Sequence, residues 1–405
     1  RVADAPADVD AAAWDALLAT QPQATPFLRH AYLAALHDSG SATPQTGWTP
    51  LFFTLWRGAA LQAACALYVK PHSYGEYVFD FAWADAYARH GLDYYPKAVV
   101  AVPFTPVPGA RLLARDAASR TALLRALVAW CGDAELSSLH LLFAADADVQ
   151  AARESGLMLR HTVQFHWKNV APTLPGARGD VSAGQPFHDF EDFLTSLSQD
   201  KRKKIRQERR KVAEAGVTFR HAQGAGISTD DWDFFYRCYE RTYLEHGNPP
   251  YLSRDFFHRM QRDMPEAWVL FIAERGGQAI ASSLIAVSAG PACANDPKDH
   301  QPAVAFGRYW GALERVDCLH FEACYYQPIA WCIAHGVQRF EGGAQGEHKM
   351  ARALLPVQAT SAHWLAHPAF AEAVDRFLER EGDGMAQYLD HLQARSPFRK
   401  PQAPD

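Results

Sequence analysis

Leu270-Phe271-Ile272-Ala273-Glu274-Arg275-Gly276-Gly277, continued by Gln278 to Val287, reads as a strand, an Arg-Gly turn and a second strand. The same reading applies to Leu51-Phe52-Phe53-Thr54-Leu55-Trp56-Arg57-Gly58, continued by the apolar run Ala59 to Val69. The two hairpins match with one single-residue gap, and their surroundings match too. A helical pattern, Leu28 to His37, precedes the first. After it come a strand (Ala98 to Phe104), a helix (Ser119 to Cys131), a strand (Ser138 to Phe143), a helix (Ala147 to Glu154) and a strand (Leu159 to Trp167). Helical patterns at Trp232 to Glu245 and Ser253 to Met264 precede the second. A strand (Ala303 to Trp310), a helical region (Leu319 to Ala334) and a strand (Val337 to Glu341) follow it. Each half therefore reads helix, hairpin, strand, helix, strand: an α/β (α+β) plan in two similar domains. The Pro/Gly-rich connector Ala171-Pro172-Thr173-Leu174-Pro175-Gly176 places the boundary, giving domains 1–170 and 171–395.

A chain of 405 residues with 48% hydrophobic and 12% aromatic residues has material for two cores. The formal charge of -5 argues against bulk nucleic-acid binding and says nothing of local patches. Seven cysteines form no C-x-x-C pair, which suits a reducing, cytoplasmic setting and makes cysteine-held zinc unexpected. No run of about 18 apolar residues exists, so no membrane span is expected.

Chemistry concentrates in Phe340-Glu341-Gly342-Gly343-Ala344-Gln345-Gly346-Glu347-His348-Lys349. Carboxylates, an amide, an imidazole and an amine follow directly on a strand. Glycines there let a ligand approach the backbone. Val337, Arg339 and Glu341 alternate onto one strand face, so Glu341 is the last strand residue aimed at the working end. In Leu319 to Ala334, His320 and Glu322 point apart if the segment is helical and share a face if it is a strand. Pro328 inside a helix implies a kink or a second start. Lys201 to Lys211 holds eight basic residues and one acid, which reads either as the solvated face of an amphipathic helix or as a phosphate-attracting surface without sequence readout. His320, Glu322, Glu341, Glu347 and His348 contain enough nitrogen and oxygen for a metal, but no metal-ligand spacing occurs and none is expected.

The order hairpin, strand, helix, strand resembles the GNAT acyltransferase core. A tandem pair of such cores resembles the Fem-type peptidoglycan-bridge aminoacyltransferases. The basic run ending Arg209-Arg210-Lys211 and leading into Ala215-Gly216-Val217 is similar to the entry to the second domain of Fem-like proteins. Three stretches resemble a bacterial family of FemAB-like predicted N-acyltransferases: Arg308-Tyr309-Trp310-Gly311, Leu319 to Gln327, and Glu341 to Lys349. The resemblance implies two tandem GNAT-like domains, each a mixed central sheet flanked by helices, with the active site in the second. It also implies transfer of an activated acyl or aminoacyl group to a small-molecule or peptide amine. The donor would be acyl-CoA or aminoacyl-tRNA, with no tightly bound cofactor and with tRNA as a further partner.

Such transfer needs a base for the amine and donors for the tetrahedral oxyanion. The expected catalytic groups are Glu341 or Glu322 as base and His320 or His348 as proton partner. Arg308, Tyr309, Trp310, Tyr325, Tyr326, Gly343, Gln345, Glu347 and Lys349 are expected at the substrate, and Lys201, Arg202, Lys203, Lys204 and Arg206 at phosphate or RNA. The loop Val102 to Arg111 departs from the GNAT pyrophosphate pattern. Its three prolines remove three backbone donors, and Gln/Arg-x-x-Gly-x-Gly/Ala is absent. The rival reading is a non-catalytic GNAT-like module that binds RNA, a cell-wall peptide or a protein.

Overall fold

In the computed structural model, which describes residues 1–171, 184–288, 303–344 and 346–399, the chain forms two compact units. One comprises Arg1–Thr162, Tyr251–Met260 and Gln358–Tyr388. The other comprises Val163–Pro250, Gln261–Val357 and Leu389–Asp405. These units are not the contiguous pieces 1–170 and 171–395. The chain passes from one to the other inside a strand rather than at the Pro/Gly connector, because strand ends pair with segments distant in sequence. Most of that connector lies outside the described residues.

In the first unit, α1 (Ala11–Ala19) and α2 (His30–Asp38) precede the hairpin of β2 (Thr49–Arg57) and β3 (Ala60–Lys70); a short β1 (Val2–Ala3) pairs with β2. Then come α3 (Phe81–Arg89), β4 (Lys97–Val100), a short β5 (Leu113–Ala114), α4 (Ala117–Asp133), β6 (Ser138–Ala144) and α5 (Asp146–Glu154). β4 and β6 run parallel, as a helical crossover through α4 requires. Leu123, Leu124 and Leu127 of α4 close the core over Leu139 and Leu141 of β6. Asp116 caps α4 by accepting from Ser119 N at 2.7 Å.

β7 (Met158–Lys168), α6 (Phe190–Ser196), α7 (Gln199–Glu214), β8 (Val217–Gln223), α8 (Thr229–Glu245) and α9 (Arg254–Asp263) follow. The second hairpin is β9 (Trp268–Arg275) and β10 (Gln278–Ser288). Its turn, Gly276-Gly277, has φ of 59° and 79°, the left-handed pair that a two-residue hairpin turn needs. β11 (Val304–Ala312) leads to α10 (Leu319–Phe321), a π-helical turn Glu322–Tyr326, and α11 (Gln327–Ala334). Last come β12 (Arg339–Ala344), β13 (Leu355–Leu365) and α12 (Pro368–Ala394). The sheet of the second unit runs β7-β12-β11-β10-β9-β8.

Strand β13, from the second half of the sequence, pairs with β6 through Thr360↔Ala144 to Leu365↔Ser138. Strand β7, from the first half, pairs with β12 through Arg339↔Lys168, Phe340↔Trp167 and Glu341↔His166. Each sheet is therefore completed by a strand from the other half of the chain.

The parallel pair β11 and β12 positions the site. They pair at Val304↔Arg339, Ala305↔Phe340 and Phe306↔Glu341, and both strands then run on without that pairing. Each strand is irregular just beyond this point. On β11 the register with β10 skips Arg308, and on β12 the register with β7 breaks between Glu341 and Ala344. Bulges bend strands, and the pairing of β11 with β12 is interrupted beyond Phe306 and Glu341, a gap in the ladder at the C-terminal ends, where open sheets place ligands.

Candidate active site

Alternation along β12 divides the candidate groups between two sheet faces. Phe340 points into the core with Trp167, Tyr325, Tyr326 and Leu354. Glu341 points the other way, as does His166 opposite it on β7.

Glu341 is buried. Arg339 holds one of its oxygens at 2.9 Å. The other, Oε2, has no hydrogen-bond partner among the described residues, and His166 Nε2 stands 3.8 Å from it. Burial pushes this carboxyl up to about 7, against the opposing pull of Arg339. Burial likewise lowers His166 to about 3, so the imidazole is neutral near pH 7. Gly342 is tight: a Cβ there would lie 2.2 Å from Leu354 and 3.0 Å from the Phe165 carbonyl oxygen. Gly343 has φ 77°. Lys349 is buried and donates to the carbonyls of Gly342 and Gly343 at 2.6 and 3.3 Å, pinning the bulge; burial lowers it to about 8.

On the opposite face the π-helical turn sets a second cluster. π-turns insert a residue into a helix and recur at functional sites. Pro328 occupies the second position of α11, where its missing N–H is tolerated. Tyr325 OH lies 3.3 Å from His348 Nε2. The His320 ring stands 5.7 Å from Tyr325 and 5.5 Å from Trp310. His320 is lowered to about 4, first by burial, then by His348, Arg352 and Lys349. His348 is lowered for the same reasons, so both imidazoles are neutral near pH 7. Tyr326 OH donates to Glu208, whose carboxylate also accepts from Arg352 at 2.8 and 2.9 Å. Arg352 lies over the Phe321 ring at 3.5 Å and donates to the His348 carbonyl at 2.7 Å, fixing that imidazole's backbone.

The helical alternative for Leu319 to Ala334 holds, and His320 and Glu322 diverge. Glu322 turns to α7, where Arg209 Nε donates to both its oxygens at 3.2 Å; Gln327 donates at 2.7 Å. The structure thus gathers His320, Tyr325, Tyr326 and His348, and sets Glu341 and Glu322 apart from them. Tyr309 packs on Tyr239 of α8 at 5.3 Å, with Arg308 stacked on it. Glu347 is exposed and pairs with Arg395 at 2.9 Å. Gln345 lies outside the described residues.

Along α7, Lys203, Lys204 and Arg206 are exposed, Lys201 and Arg202 half-buried, while Ile205, Glu208 and Val212 face inward. An open groove of about 410 Å³ runs beside this helix, lined among others by Arg206, Arg209, Arg210 and Glu322. The loop Val102 to Arg111 is buried, and Arg111 is occupied with the carbonyls of Val107, Gly109, Ala110 and Leu142. In the loop after β11, Glu314 pairs with Arg275. Among the described residues, no group of three or more His, Cys, Asp or Glu side chains could hold a metal, and no helix is long and apolar enough to cross a membrane.

Sequence reasoning missed Glu208, Arg352 and His166. Glu208 carried a signal, as the lone acid in a basic run. Arg352 and His166 acquire meaning only through long-range packing. It also missed a buried ionic network in the first unit. Lys97 donates to Ser73, Glu76 and Asp80 at 2.7, 2.8 and 2.5 Å. Asp80 accepts from Tyr94 at 2.6 Å, and Tyr94 reaches His140, itself 2.7 Å from His363. Burial raises Glu76 and lowers Lys70, both to about 7.

A double GNAT-like fold with an ionisable centre at a strand gap defines an acyltransferase, and the comparisons agree with that class. The chain belongs to the FemAB-like family, described as peptidoglycan biosynthesis/recognition, whose model matches residues 5–400. Among solved structures, FemX aligns over 93% of this chain and 100% of its own at 9% identity, TM-score 0.51. The L-PGS of Bacillus licheniformis aligns over 91% and 97% at 11% identity, TM-score 0.51. A tandem GNAT protein from the clavulanic acid biosynthesis pathway aligns over 91% and 99% at 13% identity, TM-score 0.44. At these identities the first two establish the fold. No curated protein sequence matches the chain.

Proposed function

We propose that this acyltransferase moves an activated aminoacyl or acyl group onto the amine of a peptidoglycan-precursor-type acceptor, with Glu341 as the base. The observation that carries the reading is Glu341 itself: a buried carboxyl raised to about 7, with one oxygen unpartnered, at the gap between β11 and β12. A base poised near working pH is what amine deprotonation requires. The amine nitrogen attacks the donor carbonyl, its proton passes to Glu341 Oε2, and the donor's thiolate or ribose oxygen leaves and takes up a proton. Tyr325 OH, beside neutral His348 on the opposite sheet face, is assigned to holding the donor rather than to the atoms that react at Glu341. Glu322, held by Arg209 and Gln327, and His320, packed between rings, position rather than react.

The family description supports the peptidoglycan class of acceptor. The exposed cations Lys203 and Lys204 support a donor bearing phosphates, such as aminoacyl-tRNA. Glu341→Gln tests the assignment: kcat/KM for transfer is expected to fall at least about 100-fold, with melting temperature kept. Unchanged transfer removes Glu341 from the mechanism.

A further inference from the structure

The groove beside α7 has a charge pattern that transfer chemistry does not use. Arg206 is paired with Glu191 at 2.6 Å. Arg209 engages Glu322 through Nε and lies 4.6 Å over the Phe190 ring, and among the described residues its two terminal amino groups make no hydrogen bond. Arg210, also lining the groove, is exposed and has no charged or hydrogen-bonding partner among the described residues. Glu322 is a buried carboxylate at the groove wall, and its Oε2 is engaged by Arg209 alone. Val217 and Phe219 of β8 supply an apolar wall.

Three guanidiniums against two carboxylates leave one net positive charge, since 3 − 2 = 1. A phosphate dianion would meet two carboxylates and a single uncompensated cation. A small zwitterion fits better. Its carboxylate reaches the free edge of Arg209 and Arg210 in the fork geometry that guanidinium favours. Its ammonium reaches Glu322 or Glu191, and its side chain lies on Val217 and Phe219. We propose that this groove is a binding site for a free α-amino acid with an apolar side chain, separate from the transfer centre. Glu322 opens the π-turn that carries Tyr325 and Tyr326, so an occupied groove bears directly on that turn.

The test is calorimetric titration of the full chain, without donor, by four probes: L-leucine, L-leucinamide, 4-methylpentanoate and inorganic phosphate. Saturable leucine binding is expected. Loss of either charged end is expected to weaken it at least about tenfold, an energy of about 1.4 kcal/mol, and phosphate is expected to bind more weakly than leucine. Arg210→Ala, at an exposed position, and Glu322→Gln should each weaken leucine at least about tenfold. Absence of leucine binding, phosphate binding tighter than leucine, or parental affinity in both variants overturns the proposal. Because no donor is present, those outcomes leave the transferase reading untouched, and failure of Glu341→Gln to reduce transfer leaves the groove untouched.

Discussion

Glu341 and Arg352 show how single residues set the site. A carboxyl with a folded value of about 7, against an ordinary 4.5, binds its proton more tightly in the folded state. Its contribution to stability is therefore fully present below about pH 4.5 and is lost as pH rises through about 7. The reacting form appears over the same interval. Transfer is expected to rise with pH through about 7, and in Glu341→Gln the stability slope between those values should flatten. A kcat/KM profile and pH-dependent melts check both. A flat parental profile from pH 5 to about 8 contradicts the assignment. Among the described residues Arg352 is the sole cation on Glu208, and it also holds the His348 carbonyl. Arg352→Ala leaves Glu208 and Tyr326 without their cation, and breaking a buried pair costs about 3–5 kcal/mol. Denaturant unfolding should show that loss.

At the scale of elements, α8 and β11 pack closely at Gly311. A Cβ on Gly311 would lie 1.9 Å from the Cys238 carbonyl oxygen and 2.8 Å from Thr242 Oγ1. Thr242 already bridges the two elements by donating to the Trp310 carbonyl at 2.9 Å. Gly311→Ala must push the helix from the strand, and a loss of about 1–3 kcal/mol is expected, read as a lowered urea midpoint. Retained stability would mean that α8 is free to move. The hairpins and most helices were legible because their signals are local: alternating apolar residues, an Arg-Gly turn, helical spacing. The π-turn was half legible. Pro328 announced an irregularity, but only the packing of Glu322 on α7 and Tyr325 on His348 shows which form it takes. The faces of β12 were legible by alternation, whereas His166, which stands opposite Glu341, lies on a strand from the other half of the sequence.

At the scale of the whole molecule, the two-unit plan followed from the repeated hairpin, but the exchange of β7 and β13 did not. No local pattern states which sheet a strand joins. The first unit also carries a buried ionic network. Lys97 sits between Glu76 and Asp80, and burial works against Asp80's charge while Lys97 and His140 hold its carboxyl below the usual range. Lys97→Met strands two buried carboxylates and is expected to destabilise the first unit by about 3–5 kcal/mol. Hydrogen exchange should show the loss in β4 and β6; unchanged protection there would assign the network no role in stability.

The central claim is met most directly by a mass-spectrometric transfer assay on the full chain. Acyl-CoAs and charged tRNAs serve as donors, and peptidoglycan-precursor peptides and simple amines as acceptors, with parent and Glu341→Gln run side by side. The account predicts an acceptor heavier by the transferred group with the parent, and at least about a 100-fold slower appearance of that product with the variant. A parent that yields no product from either donor class, or a variant as fast as the parent, would contradict it.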